Sequence, residues 1–147
     1  MKATILIDNI ADTGFISEWG FSVWIEHRGK NYLLDTGSSD NYLLNAKLMG
    51  IDVADADFSV LSHAHYDHSG GYDSFFEKNK KAKLYVSAGC GENCYFKLGP
   101  IRKYIGLPLG MLSRHAERIE PVDGFLALAD GVWLVPHLNN GLDAIGK

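Results

Sequence analysis

A chain of 147 residues that is 46% hydrophobic and 22% charged has the size and composition of one domain with its own core, which excludes a disordered or fibrous protein. The formal net charge of −4 offers no basic field for a polyphosphate backbone, so a small-molecule substrate is expected and nucleic acid is not. Two cysteines, Cys90 and Cys94, are too few for a disulfide framework, no apolar run reaches the roughly 18 residues of a membrane span, and the opening Met1-Lys2 is charged too soon for a signal peptide. Reduced thiols, a cytoplasmic address and no membrane partner are the expectations.

Taken in chain order, Ala3 to Ile7, Phe21 to Glu26 and Asn31 to Leu34 are short apolar runs, the last two joined by Arg28-Gly29-Lys30, which reads as a strand followed by a tight hairpin. Tyr42, Leu43, Ala46 and Met49 then recur at helical spacing, with Ser38 or Ser39 to cap the start and Gly50 the end. Phe58 to Leu61 is a buried strand that runs straight into a histidine cluster. Tyr72 to Lys80 has helical composition, and Lys83 to Val86 is a further strand. Lys78, Lys80, Lys81 and Lys83 read as a solvated turn between the two. Residues 90–118 are rich in Gly, Pro, aromatic and basic residues without a clean period, as expected of a binding loop or lid. Strand-like runs resume at Leu126 and at Val132 to Val135.

Three of six histidines fall in Ser62-His63-Ala64-His65-Tyr66-Asp67-His68-Ser69-Gly70-Gly71, together with an aspartate. Imidazole nitrogen and carboxylate oxygen suit zinc, iron and manganese. In an extended segment His63 and His65 project to one side and can share one ion, while Asp67 and His68, at the turn into the next helix, can face a second. Gly70 and Gly71 would let the backbone turn tightly beneath.

The pattern His-x-His-x-Asp-His, after a buried strand and before Ser-Gly-Gly, resembles the signature of the metallo-β-lactamase superfamily. Leu33-Leu34-Asp35-Thr36-Gly37 resembles that superfamily's Asp-Thr-Gly turn, and residues 47–71 resemble its helix, strand and metal loop in order. Ile5-Leu6-Ile7-Asp8-Asn9 and Glu18-Trp19-Gly20-Phe21-Ser22 look most like the branch of metal-dependent hydrolases related to dihydropterin and ribofuranosyl-aminobenzene phosphate synthases. The resemblance is close over residues 1–90 and loose beyond.

It implies an α/β (α+β) fold, an αββα sandwich of two similar halves, with residues 1–147 forming a single incomplete domain that holds the N-terminal half. It further implies one or two divalent metal ions, zinc first, with manganese or iron as alternatives. His63 and His65 would hold the first, Asp67 and His68 the second, with Asp67 also orienting the attacking water. Asp35 would tie the Asp-Thr-Gly turn to the metal loop without itself ligating. The function implied is a metal-dependent hydrolase using a metal-bound hydroxide on a small ester, thioester, lactone, lactam or phosphoester. The pattern calls for further ligands from a second half, so a completing C-terminal segment, self-association or a partner chain is expected, with His115, His137 or the cysteines as substitutes within the chain.

Two alternatives stand beside this reading. One is a non-catalytic fragment or binding module that keeps half of a metal site. The other, a di-iron redox protein of the same fold, tends by resemblance to use Glu where this chain has His65. Arg102 and Arg114, with Lys103 and Arg118, are candidates to meet an anionic substrate group such as phosphate, against the plainer reading of surface charge. For Cys90 and Cys94 the plainer reading is small thiols near a loop.

Overall fold

The computed structural model describes residues 1–135, and its frame is a six-stranded sheet. In chain order the strands are β1 (Lys2–Ile7), β2 (Ser22–His27), β3 (Lys30–Leu34), β4 (Phe58–Val60), β5 (Lys83–Ser87), β6 (Tyr95–Leu98), β7 (Ile101–Tyr104), β8 (Ile119–Val122), β9 (Leu126–Ala129) and β10 (Val132–Leu134). The helices are α1 (Asn41–Leu48), α2 (Tyr66–Ser69), α3 (Tyr72–Lys78) and α4 (Met111–Arg114), with single 3-10 turns at Val53–Asp55 and Ala116–Arg118. The sheet order is β1-β2-β3-β4-β5-β8; the first three strands run antiparallel and the steps β3-β4, β4-β5 and β5-β8 are parallel.

β2 and β3 are joined by a tight turn in which Arg28 and Gly29 both take positive φ, while residues 8–21 link β1 to β2. A parallel step cannot be closed by a tight turn, so α1 and α3 carry the chain back between β3, β4 and β5. Leu6, Trp24, Leu33 and Leu84 from the sheet form one buried cluster with Tyr42 and Ala46 of α1 and Tyr72, Phe75 and Phe76 of α3. Another row, set by the register Tyr32↔Phe58, stacks those two rings at 4.3 Å, and Tyr85 meets Phe58 edge-on at 5.8 Å.

One local expectation is refined and three are corrected. The N-cap position of α1 is Asp40, which makes no side-chain cap bond, but Ser39 Oγ accepts the N–H of Asn41 at 3.2 Å, and the Glu18 carboxylate accepts the N–H groups of Ser38 and Ser39 at 2.9 and 3.1 Å. α3 stops at Lys78 rather than Lys80 because Asn79 turns extended and is fully buried. Its amide donates to the carbonyls of Val53, Ala54 and Ala56 and its oxygen accepts from Lys81 and Ala82, so the lysine-rich turn is built around a buried asparagine. Residues 90–118 are not an element-free lid; they hold the β6–β7 hairpin, α4 and a 3-10 turn, each too short to show a period. β8 carries Pro121 and escaped notice for that reason, yet it lies at the end of the sheet, where a missing N–H is tolerated. Among the described residues no helix is long and apolar enough to cross a membrane.

Candidate metal centre

The carboxyl ends of parallel strands are where an α/β sheet opens into a crevice, because successive loops diverge there. The Asp35-Thr36-Gly37 turn leaves β3, the histidine loop leaves β4, and Ala88 to Cys90 leave β5. The histidine loop is held on three sides by backbone bonds. Thr36 N–H donates to the His68 carbonyl at 2.9 Å, Phe21 N–H to the Asp67 carbonyl at 3.2 Å, and Tyr66 N–H to the Ile105 carbonyl at 3.0 Å.

Gly70 and Gly71 act differently from the expected tight turn. Their φ values of −60° and −96° are open to any residue. What they provide is room: a Cβ on Gly70 would fall on the backbone carbonyl of Ser38, and one on Gly71 would meet the Tyr42 ring and the Ser39 carbonyl. Gly20 does the same on the other side, where a Cβ would strike the carbonyl of Asp67. The loop carrying the histidines thus lies directly on the backbone that follows β3.

The side chains meet across a bend at Ser62 to Ala64 rather than along an extended strand, and His63 lies nearer to His68 than to His65. The His63 ring centroid lies 4.7 Å from that of His65 and 4.1 Å from that of His68, and His68 Nε2 is 3.9 Å from Asp67 Oδ2. Asp35 is buried beneath them at a positive φ of 57°. Its Oδ1 accepts Ser62 N–H at 2.7 Å, and its Oδ2 accepts Ser62 Oγ–H at 2.6 Å and His68 Nδ1–H at 2.7 Å.

These bonds determine the tautomers. An ionised carboxylate only accepts, so His68 must carry its proton on Nδ1. With the Ser62 hydroxyl proton committed to Asp35, His63 Nδ1, 2.9 Å from Ser62 Oγ, must be the donor in that pair. In their neutral forms both imidazoles then leave Nε2 as a lone pair. The Asp35 hydrogen bond raises the His68 pKa against the effect of burial, whereas burial and the neighbouring His68 and His65 rings lower that of His63. Ser62, unmarked in the sequence, thus orients one histidine while Asp35 orients another.

The donor set suits a divalent ion in kind: imidazole Nε2 atoms and a carboxylate, with a carboxylate–histidine pair behind them. The gathering is pairwise. Among the described residues no group of three or more His, Cys, Asp or Glu side chains is placed so as to hold a metal ion. His115 is not drawn in, since its Nε2 lies 2.7 Å from Asp73 Oδ1 and its ring stacks on Phe76 at 4.2 Å. His137 lies outside the described residues. Cys90 and Cys94 are free thiols on the wall of a cleft of about 770 Å³ beside His63.

None of the arginines singled out for an anion lines that cleft. Arg102 lies over the Tyr95 ring at 3.8 Å on the β6–β7 hairpin. Arg118 donates to the carbonyls of Asn79 and Ala82. Arg114 is spent on Asp73, at 2.6 Å, fastening α4 to α3. Burial pushes the Asp73 carboxyl up, but the hydrogen bonds from Arg114 and His115 outweigh it and hold the pKa below the ordinary value. A depressed carboxylate stabilises the fold above its unfolded pKa and loses that contribution as pH falls through the folded value. Arg114 and Asp73 are 48% and 40% exposed, so solvent screens the effect strongly. Asp73→Asn should accordingly be less stable than the parent near neutrality, with the difference in urea midpoint closing below about pH 4; a difference that persists there would count against the ion pair.

The family model of the metallo-beta-lactamase superfamily matches residues 20–142. An uncharacterized protein of Methanocaldococcus jannaschii is 36% identical over 75 residues, which are 51% of this chain and 29% of that protein. A crystal structure of a metal-dependent hydrolase of the beta-lactamase superfamily superposes with a TM-score of 0.66 at 26% identity, covering 90% of this chain and 46% of its own. The metallo-beta-lactamase MIM-1 of Novosphingobium pentaromativorans shares the fold, with a TM-score of 0.52 at 22% identity over 74% of this chain and 41% of that one. The chain thus spans less than half the length of each of these relatives. Since the family match runs from Gly20 through the histidine loop and on past the described residues, the chain belongs to the metallo-beta-lactamase superfamily.

Proposed function

We propose that the chain carries part of the catalytic centre of a metal-dependent hydrolase, with His63 and His65 holding one divalent ion and Asp67 and His68 a second. The observation that carries this reading is the hydrogen-bond arrangement around Asp35 and Ser62, which occupies Nδ1 of His63 and of His68 and so leaves Nε2 of each neutral ring for a metal ion. When bound, zinc, or manganese or iron in its place, supplies the Lewis acidity that polarises the scissile bond and acidifies water. Asp67 would orient the attacking water. Asp35 and Ser62 keep the imidazoles in the ligating tautomer. The substrates this chemistry suits are small esters, thioesters, lactones, lactams and phosphoesters.

Because no three donors converge among the described residues, the remaining ligands come in this reading from a completing C-terminal half or a second polypeptide. The pairwise site also supports a second reading, a binding module that holds metal weakly without catalysis. The two free thiols accord with a reducing, cytoplasmic setting.

Metal content per chain tests the proposal, measured by mass spectrometry on the purified protein and on His63→Ala and Asp67→Ala. Metal that falls in both variants is the expected result, substoichiometric in the parent where the completing ligands are absent. Substoichiometric metal in the parent, unchanged by either substitution, would remove the assignment of ligands.

A further inference from the structure

Of the three imidazoles in the metal loop, two are held by hydrogen bonds of their own, His63 on Ser62 and His68 on Asp35. The His65 ring has no hydrogen-bond partner among the described residues, so its direction follows from the backbone that carries it. That backbone is gripped from two sides. Within the loop, the His65 carbonyl accepts Ser69 Oγ–H at 2.7 Å and Ser69 N–H at 3.1 Å. From a distant part of the chain, Gly106 pairs with His65 in an isolated antiparallel bridge, and the Ile105 carbonyl accepts Tyr66 N–H at 3.0 Å. A single bridge can place a ligand only if the segment that makes it is itself fixed.

Residues 105–107 are fixed at three points. Ile105 N–H donates to the Cys94 carbonyl at 3.0 Å, which ties the segment to the base of the β6–β7 hairpin. Leu107, fully buried, anchors its other end in the core together with Met111 of α4. Between these points Tyr104 folds back over the segment. Its hydroxyl donates to the Leu107 carbonyl at 2.8 Å, and its ring covers Gly106, where an added Cβ would fall 2.6 to 2.9 Å from the outer atoms of the ring. Gly106 therefore supplies the space that the ring occupies.

We infer that Tyr104 and Gly106 are positioning residues for His65: together they close residues 104–107 into a strap that sets the direction of the one imidazole in the loop that no side chain orients. The importance of His65 as a ligand rests on the hydrolase reading, whereas the grip on its backbone does not. The end of the β6–β7 hairpin thereby acquires a role, bracing the metal loop from outside it.

The experiment reads two quantities in the 147-residue chain and its variants: zinc affinity by competition with a chelator, and the ring nitrogen-15 shifts of His63, His65 and His68 in the metal-free protein. Tyr104→Phe removes the hydroxyl and keeps the ring, and should weaken zinc about fivefold, the worth of one net hydrogen bond. Gly106→Ala pushes the ring off Leu107 and should weaken zinc about tenfold, as loss of a residue that orients a ligand does. In both variants the His65 nitrogens should shift while those of His63 and His68 stay, since Ser62 and Asp35 still hold them. Tyr95→Phe, on the same hairpin but with a hydroxyl that bonds to nothing among the described residues, should alter neither quantity. Unmoved His65 signals in Tyr104→Phe and Gly106→Ala, or all three histidines shifting together as in a general loosening of the fold, would overturn the inference. His65 shifting alone in a chain that binds no zinc would keep the strap and remove the hydrolase reading; zinc bound, and lost in His63→Ala, with His65 unmoved by either strap substitution would do the reverse.

Discussion

Replacing Asp35 with asparagine should lower the zinc affinity of the chain about 10- to 100-fold while leaving its fold in place. The substitution is nearly isosteric, and asparagine tolerates the positive φ of 57° at this position. Its oxygen can still accept Ser62 N–H, but an amide NH2 then replaces the oxygen that took protons from Ser62 Oγ and His68 Nδ1. His68 must accept at Nδ1 and move its proton to Nε2. Ser62, released, turns its hydroxyl toward His63 Nδ1 and drives that proton to Nε2 as well. One changed atom thus blocks two donors without touching either ligand. Zinc titration against a competing chelator reads the affinity, and nitrogen-15 shifts of the metal-free protein read the tautomers. Unchanged affinity with both tautomers reversed would mean that neither histidine ligates.

Gly70→Ala should destabilise the protein by about 3 kcal/mol, since the added methyl has backbone rather than a flexible side chain in its way. Gly70 N–H donates to the Gly37 carbonyl at 2.8 Å, so its main chain is already pinned to the Asp-Thr-Gly turn and cannot retreat. The melting temperature should fall by roughly 6 to 12 °C for a chain of this size. Gly124→Ala, where an added Cβ meets nothing, should change stability by no more than about 0.5 kcal/mol. Equal effects at the two positions would show that the close contact beneath the histidine loop is not made. Because the same loop presents Asp67 and His68, zinc affinity should fall in Gly70→Ala even where the protein remains folded.

Much of this site is written in one stretch of chain. The apolar run from Phe58 to Leu61 reads as a buried strand, and spacing of the His-x-His kind places both rings on one side if the chain stays extended. That is why ligand chemistry and the strand feeding it were legible from residues 58–68 alone. The Asp35 tie was visible only through resemblance, because its partners lie 27 and 33 residues away. Ser62 carried no signal at all: a serine before a histidine acquires meaning only once Asp35 takes its proton.

Composition, spacing and local period thus determined by themselves the order of strands and helices in the first ninety residues and the candidate ligand residues of the histidine loop, since these depend on neighbours within a turn or a strand. Tertiary structure decided the rest. It paired the Pro-containing β8 with β5, showed that Gly70 and Gly71 serve contact rather than curvature, and turned Arg102, Arg114 and Arg118 to aromatic, ionic and backbone partners away from the cleft. Each of these depends on which distant atom arrives within about 3 to 4 Å, a distance no local pattern of side chains encodes.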